Sequence, residues 1–214
     1  KKPATFEGFR GLGRSYLTFL AVIFLFTLSN ATDAFLLLRA QDLGVPLAMI
    51  PILWGALHVS KSAFSAAGGL FSDAWGPRKV IVAGWVIYAA VYAGFAFASS
   101  AAHVWLLFML YGLYFGLTEG PEKALVAAVA PAHRRGAAFG AYHFTIGIAA
   151  LPASLMFGLI WEKASATAAL FTAATIALIA SIVLLLVQLP NTRRRANDVT
   201  PAEGIGELAP GDPE

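Results

Sequence analysis

The sequence predicts an all-α polytopic membrane protein, a bundle of six transmembrane helices with both termini on the cytoplasmic side. Three observations carry that expectation. Of 214 residues, 58% are hydrophobic and only 13% charged, whereas soluble domains carry about 25% charged residues. The apolar residues fall into six blocks of membrane-spanning length. The basic residues cluster in the connections that share one side.

A hydrocarbon layer of about 30 Å takes roughly 20 mostly apolar residues in a helix. The first block, Tyr16 to Leu38, follows Lys1 and Lys2 as a secretory leader would. Leader cores run only about 7 to 15 residues, so this block is read as a span that stays. Gly44 and Pro46 punctuate the chain before the second block, Pro46 to Phe71, and Gly76 with Pro77 marks the turn into the third, Val80 to Ala98. The fourth, Val104 to Val129, stops at Pro131, and the fifth and sixth are Ala137 to Ile160 and Ala166 to Leu189. The organisation is thus a cytoplasmic segment over 1–15, a transmembrane domain over 16–190 and a tail over 191–214. That tail is rich in Arg, Pro, Gly and acid, too poor in apolar surface to fold, and is read as disordered. The chain lacks an initiator Met, which allows for a fragment or a processed product.

Cytoplasmic loops are enriched in Lys and Arg. Lys1, Lys2, Arg10, Arg14, Arg78, Lys79, Arg134, Arg135 and Arg193 to Arg195 fall on one side, whereas the other has Arg39 and Lys163. Lys61 and Lys123 lie inside spans. The net charge of +3 therefore reads as topology and not as a nucleic-acid footprint. Zero cysteines exclude a disulfide framework and a thiolate nucleophile or metal site. No G-x-x-x-x-G-K-[ST] loop is present to hold ATP. His58, His103, His133 and His143 are scattered over helices and loops, so no metal or other cofactor is expected.

The loops carry the most specific signal. Between the second and third blocks the chain reads Gly69-Leu-Phe-Ser72-Asp73-Ala74-Trp75-Gly76-Pro77-Arg78-Lys79. Gly69 can let helices approach closely, Asp73 can accept from a helix N-terminus or pair with an Arg, and Gly76 permits a tight turn. Arg78 and Lys79 anchor the loop in the cytoplasm. The run resembles the G-x-x-x-D-R-x-G-R-K signature of the major facilitator superfamily, with Ala74 in place of the usual Arg and Pro77 shifting the basic pair by one. A second element, Pro131-Ala-His-Arg-Arg135-Gly136-Ala-Ala-Phe-Gly140, is similar to the P-x-x-x-R-G-x-x-x-G element of many facilitators. The first span's Asp33 to Gly44 and the fifth's Leu151-Pro-Ala-Ser154 look like segments from C-terminal halves of bacterial facilitators of unassigned substrate. The resemblance implies helices seven to twelve of a twelve-helix transporter. Such transporters rock two six-helix halves around a cavity near the bilayer midplane.

Ionisable groups inside a membrane normally face a bundle interior or a watery cavity. In the first span Asp33 sits near the outer side, with Asn30 one turn deeper on the same face and Thr27 extending that stripe. An interhelical hydrogen-bond cluster and a cavity role both fit. In the second span His58, Lys61, Ser62 and Ser65 make one polar stripe, with His58 near the midplane and Lys61 roughly 8 Å from the cytoplasmic boundary. His58 suits proton exchange at physiological pH, or it is a packed histidine above a snorkelling Lys61. The fourth span holds Glu119-Gly-Pro-Glu122-Lys123, in which Glu119 and Lys123 have the spacing of an intrahelical ion pair and Pro121 should kink the helix. With His143 at the same depth in the fifth span, Glu119, Glu122 and Lys123 are expected to form one network. That network reads either as a coupling site centred on Glu119 or as a structural clamp.

The leading function is secondary active transport of a small molecule by alternating access, proton-coupled and with export preferred, in the bacterial inner membrane. Its expected partners are membrane lipid, the missing N-terminal six-helix half and the transported substrate, with no nucleic acid. A non-transporting membrane scaffold is the alternative. An intramembrane enzyme is disfavoured, because no G-x-S-x-G element occurs and Asp33 is the only clear intramembrane Asp.

Overall fold

The computed structural model describes residues 11–189. The tail read as disordered lies outside the described residues, as do Lys1, Lys2, Arg10 and Arg193 to Arg195. Among the described residues seven α-helices build six spans, each long and apolar enough to cross a membrane. Helices α1 (Arg14–Ser29) and α2 (Ala34–Asp42) share the first span. Helices α3 (Ile50–Trp75), α4 (Pro77–Phe97), α5 (Ala101–Val129), α6 (Arg135–Lys163) and α7 (Ala166–Leu186) follow, one per span. Among the described residues there is no β-strand. Gly76, at φ 88, joins α3 to α4 in a backbone conformation that a side chain would oppose.

The first span is not the single helix that its hydropathy predicts. Helix α1 stops at Ser29, Asn30 leaves helical geometry (φ −96, ψ 77), and α2 begins only after Asp33. Ser29, Asn30, Thr32 and Asp33 crowd this break, and such side chains offer the backbone local alternatives to helical bonding. The Ser29 hydroxyl donates to the Phe26 carbonyl at 2.6 Å. The Ser29 carbonyl accepts from the Tyr88 hydroxyl at 2.7 Å, so a polar group freed at membrane depth is satisfied by a neighbouring helix. Asn30 and Asp33 therefore do not share one continuous helical face.

Apolar burial does little to join helices in lipid, which is as apolar as leucine, so close packing must hold the bundle. Helix α3 packs chiefly on α5, α4 on α5 and α7, and α1 on α6 and α7. The α3–α5 crossing is built from small residues. Gly112 lies against Ser60, Gly116 against the backbone of Phe64, and Gly68 against the Gly116 carbonyl. The Ser60 hydroxyl donates across the same crossing to the Met109 carbonyl at 2.7 Å. Gly69, the expected contact glycine, has no neighbour there; the close approach falls one residue earlier, at Gly68. The core is aromatic: Trp85, Tyr88, Tyr92 and Phe95 of α4 are fully buried with Tyr111 and Phe108 of α5. Phe26 of α1 stacks on Trp85 with ring centroids 4.1 Å apart.

Helix ends leave carbonyls without intrahelical partners. At the C-terminus of α7 these are met by Arg78, which donates to the carbonyls of Leu184 (2.8 Å), Leu185 (2.5 Å) and Val187 (2.5 Å). Its positive charge also suits that negative end of the helix. Arg78 is thus a staple between α4 and α7 as well as a loop anchor. Arg78→Ala should lower stability by about 2 kcal/mol, the scale of losing charge-assisted hydrogen bonds, measured as thermal unfolding in detergent. Lys79→Ala, at an exposed neighbour, should change it little.

Candidate transport site

The six spans are unequally covered. Over the most apolar stretch of each, 17% of residues are buried in α3 and α6, against 44% or more in the other four. Helix α5 lies between these two open helices and touches both. Along α3 the sequence-predicted stripe is present: His58, Ser62 and Ser65 are exposed and Lys61 is half-buried. Lys61 is the twelfth residue of the 26-residue α3, about 21 Å of helix axis from the Trp75 end. It therefore sits near mid-helix, deeper than the expected roughly 8 Å: Phe71, the end of its apolar block, is already about 15 Å of helix axis away, and α3 runs a further turn to Trp75.

At that depth Lys61 does not snorkel; its Nζ meets Glu119 Oε2 of α5 at 2.7 Å. The other oxygen, Oε1, pairs with Lys123 at 3.3 Å, one turn on along α5. Lys61 also stands over the Phe115 ring, 4.9 Å from its centroid. One carboxylate is thus held between two ammonium groups on the α3–α5 surface, with side chains between a third and a half exposed.

Glu122 does not join that cluster. Its Oε1 accepts from Trp85 Nε1 at 3.1 Å and its Oε2 from the Tyr142 hydroxyl at 2.6 Å, a tie that binds α4, α5 and α6. His143 is exposed and contacts the Tyr142 ring at 5.1 Å. The single network expected of Glu119, Glu122, Lys123 and His143 is therefore two hydrogen-bonded clusters: Glu119 and Lys123 point about 40° apart around the helix, whereas Glu122 points about 100° from Lys123 and about 60° from Glu119 on the opposite side. Helix α5 continues through Pro121 to Val129.

The Tyr111 hydroxyl donates to Asp33 Oδ1 at 2.6 Å, so the acid at the break is tied to α5. The backbone N–H of Thr32 reaches Ser154 Oγ of α6 at 3.3 Å. Thr27 is buried and bonds back to the Ile23 carbonyl, and Asn30 is half-buried. Among the described residues no ammonium touches Asp33, although His58 and Lys61 lie within its electrostatic reach. His58 packs edge-on against Trp54, 5.4 Å between ring centroids. The loop residues Gly69, Asp73, Gly76, Arg78 and Lys79 stand at the α3–α4 junction, and Arg135 and Gly136 open α6; none of them enters these clusters.

Sequence reasoning missed Tyr111, Trp85 and Tyr142 as partners of the acids. The available signal was chemical: a buried Tyr or Trp needs a hydrogen-bond partner for its polar end.

The sequence pattern of the Major Facilitator Superfamily matches residues 17–210. An uncharacterized MFS-type transporter of Methanocaldococcus jannaschii is 32% identical over 186 residues, covering 84% of this chain and 46% of the relative. The multidrug resistance protein MdtH of Klebsiella pneumoniae is 29% identical over 99 residues, 46% of this chain and 25% of the relative. Its counterpart in Aeromonas hydrophila is 26% identical over 130 residues, 61% of this chain and 33% of the relative. The chain spans about half or less of the length of these curated relatives. The six spans, the two loop elements and the match over nearly all the described residues lead to one assignment: the chain belongs to the Major Facilitator Superfamily and is a multi-pass membrane protein.

Proposed function

We propose that these six helices are the C-terminal half, helices seven to twelve, of a proton-coupled secondary transporter that moves a small molecule by alternating access across the bacterial cytoplasmic membrane. The observation that carries this reading is the placement of Asp33, His58, Lys61, Glu119 and Lys123 around one weakly covered side of the bundle. Charged groups facing lipid at that depth are costly. A water-filled cavity shared with a second six-helix bundle accommodates them. That partner bundle, on the same chain or a separate one, is supported by the chain's matching about half of its M. jannaschii relative. The preference for export rests on the names of the two multidrug resistance relatives.

Proton exchange falls to Asp33, with His58 as its titratable neighbour. Glu119 is pinned between two ammonium groups, whereas among the described residues the side-chain partner of Asp33 is the neutral Tyr111 hydroxyl. Asp33→Asn keeps an oxygen for Tyr111 but cannot exchange a proton. In proteoliposomes of the full-length transporter, Asp33→Asn should cut gradient-driven accumulation by about tenfold or more, roughly 1.4 kcal/mol of lost coupling, while downhill exchange persists. Unchanged accumulation would move coupling to another group. Absence of exchange by the wild type, with stable association with a partner bundle, would favour the scaffold.

A further inference from the structure

We infer that the outer end of the α4–α5 pair is a binding site for one glycerophospholipid of the outer leaflet, with an acyl chain in the groove between the two helices and the phosphate at His103. The groove has a volume of about 250 Å³. Gly94, Phe97 and Ala98 line it from the end of α4, and His103, Leu106 and Leu107 from the start of α5.

The direction of the groove decides what covers it. His103 precedes Glu119 by 16 residues on α5, which places it about 160° around the helix from that acid. The groove therefore faces away from the charge cluster and from the side on which a second bundle would close the transport path. Its walls are open: Phe97 is 75% exposed and Leu106 60%. On that side of a membrane-spanning bundle the available apolar material is the lipid acyl chain, which matches such side chains in polarity.

Depth and hydrogen bonding select the headgroup. Helix α4 ends at Phe97 and α5 begins at Ala101, so the groove runs to the end of both spans, where an acyl chain gives way to its phosphate. His103 is exposed there, and its Nδ1 accepts from the Ser99 backbone N–H at 3.3 Å. A nitrogen that accepts carries no proton, so the ring proton is on Nε2. Among the described residues Nε2 has no partner, and it is left to donate outward. Arg39 of α2 reaches the same rim. Its Nε donates to the Phe95 carbonyl at 3.4 Å and its Nη2 to the carbonyl of Ala98, a lining residue, at 3.3 Å. Asp42, one turn on from Arg39, is exposed and forms no ion pair with it. The rim thus presents an imidazole N–H beside a guanidinium, and a phosphodiester supplies the anionic oxygens that such donors bond most strongly.

The test is native mass spectrometry of the full-length protein in detergent, with dioleoyl phosphatidylglycerol or dioleoylglycerol added. The two lipids share their chains, and only the first has a phosphate. The wild type should retain one phosphatidylglycerol that His103→Leu releases, with occupancy falling about fivefold, the scale of one lost hydrogen bond. Retention of dioleoylglycerol should be weaker in the wild type and indifferent to His103→Leu. Leu106→Trp fills the groove from an exposed position and should lower retention of both lipids. Leu106→Phe is the second filling variant should tryptophan disturb the fold, and unchanged thermal unfolding of each variant separates loss of lipid from loss of structure. Lys79→Gln, at the cytoplasmic end, should leave retention unchanged. Equal retention of the two lipids by the wild type overturns the proposal, because the contact is then that of any acyl chain. Retention of phosphatidylglycerol that survives both His103→Leu and the filling variants overturns it as well. A lipid-free dimer that Leu106→Trp dissolves would give the groove to a second copy of the chain and overturn it too.

Discussion

Gly116→Leu should separate α3 from α5 and destabilise the six-helix chain by about 3 kcal/mol or more, the upper range for overpacking a well-packed contact. Even the first atom of a new side chain would lie 2.7 Å from the Phe64 Cβ and from its carbonyl carbon. The obstruction includes backbone, so rotation of a side chain cannot relieve it. The same crossing carries Gly68 against the Gly116 carbonyl and the Ser60 bond to Met109, and all three contacts are disturbed together. Gly116→Ala should show the effect in smaller form. Gly69→Ala has nothing within 4 Å of the added atom and should be neutral, or stabilising by about 0.5 to 1 kcal/mol through better helix propensity. Thermal unfolding of the three variants in one detergent checks both the size and the opposite signs. Equal effects at 69 and 116 would place the crossing elsewhere.

Glu122→Ala should be nearly as damaging, at about 3 kcal/mol, because it leaves two buried donors, the Trp85 N–H and the Tyr142 hydroxyl, without their shared acceptor. The loss spreads over three helices, since Trp85 belongs to α4, Glu122 to α5 and Tyr142 to α6. Glu122→Gln should recover much of it. A glutamine keeps one oxygen to accept, and its amide can donate to the Tyr142 oxygen after that hydroxyl turns. Stability in the order glutamate, glutamine, alanine is expected in thermal unfolding, together with a blue-shifted or broadened Trp emission in the alanine variant. Indifference to Glu122→Ala would mean that Trp85 and Tyr142 find other acceptors.

The number and order of the spans are legible in the sequence because lipid imposes a length and a polarity that each block must meet alone. The break after Ser29 is less legible, since Phe24, Leu25, Phe26 and Leu28 before it and Phe35 to Leu38 after it score as one apolar run. Its signal lies in the crowding of Ser29, Asn30, Thr32 and Asp33, whose side chains compete for backbone bonds. The Glu119–Lys123 pair is legible because both partners share one helix. Lys61, Trp85, Tyr142 and Tyr111 come to the acids from other helices, and no periodicity within one helix encodes which neighbour it meets. Gly68 and Gly69 differ in the same way: the sequence offers both, and only the angle at which α3 crosses α5 selects one.

Thiol accessibility along α3 in the full-length protein tests most directly whether this open polar side lines a water-filled transport path. The chain contains no cysteine, so Ser62→Cys and Ser65→Cys each add a single thiol to it. Ile182→Cys provides a control on the exposed apolar surface of α7. Ser62→Cys and Ser65→Cys should react with a membrane-impermeant maleimide, with rates that change when cargo is added, while Ile182→Cys stays unreactive. Unreactive thiols at 62 and 65, matching the lipid-facing control, would contradict a water-filled path along α3.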